Sequence, residues 1–62
     1  MANEVLVDRY SAWLVYSQTD LKRLIARNSE THESICVPYT DDNYQHTKDY
    51  LLGLILRIER GN

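Results

Sequence analysis

Cysteine is almost absent from this chain, and the single Cys36 cannot close an internal disulfide. That excludes the disulfide-stapled secreted mini-protein class and makes a reducing, cytoplasmic setting the expectation. Glycine is scarce too. Gly53 and Gly61 are the only glycines and Pro38 the only proline, so no glycine-rich loop is present to cradle a phosphate. Long apolar runs are also missing: the longest, Tyr50 to Leu56, is interrupted by Gly53 and followed by Arg57, Glu59 and Arg60. It falls well short of the roughly 20 residues that span a bilayer. The start, Met1-Ala2-Asn3-Glu4-Val5, lacks a basic segment leading into an apolar one, so no targeting signal is expected.

What is present is a 62-residue chain, 44% hydrophobic and 26% charged. A domain of about 60 residues buries only roughly 60% of the surface its unfolded chain exposes, so its core is marginal unless another surface covers part of it. A substrate pocket with a dedicated cofactor site has little room here, and an enzyme is not expected. The net charge of −2 is unevenly spread: residues 1–28 carry +1, residues 29–49 carry −4, and residues 50–62 carry +1. Acidity concentrated in the middle argues against a dominant nucleic-acid footprint, which needs clustered Lys and Arg.

Helical periodicity organises the first part of the chain. At roughly 100° per residue, Leu6, Val7, Tyr10, Trp13, Leu14, Leu21, Leu24 and Ile25 fall within an arc of about 120°. Asn3 offers an N-cap oxygen, and the phase predicts one amphipathic helix over about residues 3–28. The competing pattern is an N-terminal β-hairpin pairing Val5-Leu6-Val7 with Ala12 to Tyr16. Trp, Val and Tyr favour it, but Asp8-Arg9-Tyr10-Ser11 supplies no Gly, Pro or Asn for the turn. Residues 29–40 read as an acidic connector, extended around Val37-Pro38. Thr40, Asp41 and Asp42 then suit a helix start, and Arg57, Arg60 and Gly61 a helix end, predicting a second helix over about residues 41–60. Its apolar arc widens to roughly 200° through Leu52 and Leu56, more than one neighbouring helix covers.

Several residues invite chemistry. His32, Cys36 and His46 are the zinc-type ligands present, but they lack a paired-Cys spacing and a clear fourth ligand, so neither a metal site nor a cofactor is expected. Cys36 with a histidine base lacks a third orienting group, and no catalytic residue is assigned. Asp41-Asp42-Asn43 lacks the alternating ligands and central glycine of a calcium loop. Arg9, Arg23 and Arg27 form the only basic stripe, with Tyr16 beside it. They are the candidate nucleic-acid contacts, although a solvated flank explains them more simply. Tyrosine is enriched at interfaces, and Val15, Tyr16, Tyr39, Tyr50, Leu52 and Leu56 are the candidate partner-binding residues.

These observations predict an all-α fold: a single domain over residues 1–62, two antiparallel helices completed by homodimerisation into a bundle. The alternative is a small α+β fold with an N-terminal hairpin. The expected function is a small non-enzymatic module that binds, and thereby modulates or inhibits, another protein. A dimeric nucleic-acid-binding regulator using the arginine stripe is the alternative.

Overall fold

The computed structural model describes residues 3–61. Met1, Ala2 and Asn62, the ends of the expected 1–62 domain and the start of the expected signal-free N-terminus, lie outside the described residues. The fold is α+β. Strands β1 (Glu4–Tyr10), β2 (Trp13–Gln18), β3 (Arg23–Asn28) and β4 (Ser34–Pro38) form one antiparallel sheet in sequential order, followed by a 3-10 turn (Asp41–Asn43) and helix α1 (Tyr44–Glu59).

This overturns the expected two-helix hairpin, and with it the description of a small helical protein. The segment predicted as a helix over residues 3–28 is three strands, and Asn3 caps no helix: its amide donates to Asp20 Oδ1 at 3.1 Å beside the β2–β3 turn. The physical reason lies in the residues. Val5, Val7, Val15 and Ile25, with Tyr10, Trp13 and Tyr16, are β-branched or aromatic side chains that lose rotamer freedom in a helix and pack well on a pleated surface. The N-terminal hairpin therefore forms although its turn lacks Gly, Pro and Asn. Ser11 takes the left-handed conformation that a glycine was expected to supply, at φ 54°.

In the connector, Ser34–Pro38 pairs with β3 as the last strand, and Pro38 sits on the sheet edge where its missing amide breaks no internal ladder. The loop before it is organised by Asn28. Its side-chain oxygen accepts from the amides of Glu30 at 2.8 Å and Thr31 at 2.9 Å, while its backbone amide donates to Glu33 O at 2.8 Å. At the other edge, an irregularity between Leu6 and Asp8 leaves Val7 without a cross-strand partner and turned into the core. Such a bulge also blunts an edge strand against pairing with other chains.

Helix α1 lies on one face of the sheet, over β3 and β4. Thr47, Leu51 and Ile55, spaced one turn apart, are buried, and Leu51 and Ile55 join Trp13, Val15, Leu24 and Ala26 in the core. Asn43 Oδ1 accepts from the Thr40 amide at 2.7 Å and pairs with Thr47 Oγ1 at 3.2 Å, fixing the helix start. Gly61 at φ +77° ends it. The wide apolar arc of this helix is met on one side by the sheet, and Leu52 and Leu56 on its flank are half-buried. No helix among the described residues is long and apolar enough to cross a membrane.

Candidate functional site: the open face of the sheet

Residues directly paired across an antiparallel sheet share a face. The register therefore sorts the side chains into two sets. Val5, Ser17, Leu24 and Val37 form one row toward the helix; Val15, Ala26 and Ile35 belong to another. The opposite face carries no helix. Its rows are Arg9, Leu14, Arg27 and Ser34; Leu6, Tyr16, Ile25 and Cys36; and Glu4, Gln18, Arg23 and Pro38.

The centre of this open face is apolar and its surround is basic. Leu6 is 54% exposed, and Leu14 and Tyr16 are half-buried. Ile25 lies between Arg23 and Arg27 on the same strand and is buried without any helix above it, flanked by their aliphatic stems. Three arginines and one glutamate share the face, in a chain whose formal net charge is −2.

A polar network fixes these side chains in place. The Arg27 guanidinium lies over the Tyr16 ring, 5.4 Å from its centre, and reaches Glu4 with two parallel bonds of 2.8 Å. Gln18 donates to Glu4 at 2.7 Å and accepts from Arg23 Nε at 3.2 Å and Nη2 at 2.9 Å. The hydrogen bonds from Arg27, and then that from Gln18, hold the Glu4 carboxyl at about 2, below its ordinary 4.5. Glu4 in turn raises the pKa of Arg27. Elsewhere on the surface, Lys22 donates to Asp41 at 2.8 Å, which raises the lysine's pKa and links the β2–β3 turn to the 3-10 turn.

The structure brings together part of what the sequence suggested. Arg9, Arg23, Arg27 and Tyr16 all lie on the open face, drawn from three strands rather than one helix flank. Val15 does not join Tyr16 there: alternation along β2 turns it inward, and it is fully buried. Tyr39 is a pillar between sheet and helix, its hydroxyl 3.1 Å from Ser17 Oγ and its ring edge-on to Tyr44 at 5.0 Å. Tyr50 is 58% exposed on the helix, and Leu52 and Leu56 flank its buried stripe, so these three stand apart from the open face. Helical periodicity puts Leu6, Leu14 and Ile25 in a helix core; pairing register, invisible without strand boundaries, puts them on the open face.

His32 sits in the β3–β4 loop, Cys36 on β4 and His46 on α1. Among the described residues no group of three or more metal-ligating side chains is assembled. The Cys36 thiol is exposed on the open face, opposite Ile25. Compared with protein-family models, curated proteins and solved structures, the chain gives no significant match.

Proposed function

We propose that this chain is a binding module that docks, through the open face of its sheet, on another protein presenting apolar side chains surrounded by acidic ones. The observation that carries the reading is the face itself: Leu6, Leu14 and Tyr16 at the centre, with Arg9, Arg23 and Arg27 around them. Arginine and tyrosine are the residue types that most often anchor protein interfaces, and a pre-ordered face loses less entropy on binding. Docking would modulate or block the partner without chemistry of its own.

The nucleic-acid reading is the weaker one on the same face. Among the described residues Tyr16 is the only aromatic ring there, with Arg27 over part of it, which leaves no second ring for successive bases to stack on. Three arginines, one of them already paired with Glu4, would match few phosphates.

The test is affinity capture from the native host's lysate with three baits: the native chain, Leu14→Asp, and Tyr50→Ser on the helix as a control. A captured protein retained by the native and Tyr50→Ser baits and lost with Leu14→Asp supports the reading. Capture indifferent to Leu14→Asp removes it. Binding to duplex or single-stranded DNA that weakens steeply with salt transfers the face to the nucleic-acid reading. A molar mass above 7.3 kDa that reverts to monomer in Leu14→Asp assigns the face to a second copy.

A further inference from the structure

At the end of the open face nearest the β3–β4 loop, the surface is concave. Leu14, Tyr16, Arg27, Ser29, His32 and Ser34 line a cavity of about 390 Å³. That is near the lower end for small-ligand pockets and admits one amino-acid side chain with part of its neighbour. Glu4 holds Arg27 but does not line the cavity. A guanidinium has five N–H donors, and Glu4 takes one from each terminal nitrogen. The remaining three N–H groups have no other partner among the described residues, and the Arg27 side chain is 47% exposed. The Ser34 hydroxyl and the His32 imidazole also make no hydrogen bond among the described residues.

We propose that this pocket receives the carboxylate of an acidic side chain from the docked protein, with Arg27 and Ser34 donating to it and an adjoining apolar side chain lying on Leu14 and Tyr16. The inference rests on the open face being a protein-docking surface and names the group recognised there. Glu4 on one side and the Tyr16 ring beneath immobilise the guanidinium before the partner arrives, so the fork's ordering cost is already met. The neighbouring Glu4 charge also selects against a doubly charged phosphate, since one guanidinium would then face three negative charges.

The experiment is an NMR titration of the full chain with N-acetyl-leucyl-glutamate amide, its glutamine analogue and inorganic phosphate. The glutamyl probe is expected to bind about tenfold more tightly than the glutaminyl one, as for a charge-assisted hydrogen bond. Its shifts should centre on Leu14, Arg27, His32 and Ser34. Arg27→Lys should erase most of that preference. Because that change also breaks the Glu4 pair, Ser34→Val on the exposed strand serves as a second variant, expected to weaken the glutamyl probe about fivefold with the fold intact. Equal affinity for the two peptides, shifts centred elsewhere, or tighter binding of phosphate overturns the proposal. A pocket that ignores the glutamyl probe while Leu14→Asp still loses the captured protein removes the pocket and leaves the docking face. Probe binding with capture indifferent to Leu14→Asp does the reverse.

Discussion

Trp13 and Leu14 are neighbours on β2, yet Trp13 is fully buried beneath the helix while Leu14 is half-buried on the face without one. The same contrast runs along the sheet. On the covered face Val15, Leu24 and Ala26 meet Leu51 and Ile55 with no residual exposure. On the open face the roof is made of long polar side chains, and the order comes from Arg27, Glu4, Gln18 and Arg23 rather than from a second layer. One face is built for stability, the other is ordered yet accessible. A second apolar face left uncovered is surface withheld from the core, and the proposed docking rests on it.

Truncation on the two faces should break this symmetry most visibly. Trp13→Ala is expected to cost about 3–5 kcal/mol and Leu51→Ala about 2–5 kcal/mol, enough to unfold a chain of this size. Leu14→Ala, one residue away, should cost only about 1 kcal/mol because little additional surface is exposed. Urea denaturation measures all three. Comparable losses at Trp13 and Leu14 would mean that the open face is also structural. Trp13 carries one blemish: its buried Nε1 has no hydrogen-bond partner among the described residues. Trp13→Phe should therefore lose less than its volume change alone suggests.

Next in size is the loop that joins β3 to β4. Asn28→Ala removes the acceptor for the Glu30 and Thr31 amides at a position only 8% exposed. A loss of about 1–3 kcal/mol is expected. Amide exchange should accelerate in residues 29–33 before the rest of the sheet, and the shape of the proposed pocket should be lost with it. Uniform acceleration would show that the loop is not a separate unit.

The turns explain why the sheet was hidden in the sequence. Hairpins announce themselves through glycine, asparagine or proline, but here the left-handed positions are Ser11, Lys22 and His32, at φ 54°, 53° and 65°. Apolar pairs also recur at Leu6-Val7, Trp13-Leu14 and Leu24-Ile25, at separations of seven and eleven residues that match helical repeats. In β2 and β3 both faces carry apolar side chains, so the alternation that marks a half-buried strand is erased. The C-terminal helix was legible in its regular apolar spacing, but its α-helical part starts at Tyr44, because Asp41–Asn43, where the cap was expected, form a 3-10 turn. Of the site, helical spacing groups the arginines and Tyr16 on a helix flank that does not exist; the strands bring the same residues to one face by their register. Their apolar centre required the register.

A smaller change should sharpen the comparison from the helix side. Gly53 is in the middle of α1, and a Cβ placed there meets nothing within 4 Å. Gly53→Ala should stabilise the chain by up to about 1 kcal/mol through helix propensity. Thermal unfolding should shift upward, with resonances of Leu14, Tyr16 and Arg27 unmoved. A shift at those residues would show that the helix and the open face are coupled.

Acid tests the Glu4 pair of the open face, and its effect on stability is the smallest. Glu4 has a folded-state pKa of about 2 against an ordinary 4.5, so its ion pair contributes fully above about pH 4.5 and is lost as pH falls toward 2. The chain carries eight other Asp and Glu residues, which makes the difference between the native chain and Glu4→Gln the informative quantity. That difference should be constant above pH 4.5 and close as the native Glu4 is protonated, and salt should diminish it. Arg27 resonances should move in the same window, because a neutral Glu4 no longer holds the guanidinium over Tyr16. Parallel stability curves for the two chains would mean that the pair orders the face without stabilising it. An Arg27 signal indifferent to both acid and Glu4→Gln would mean that packing on Tyr16, rather than the carboxylate, sets where the guanidinium lies.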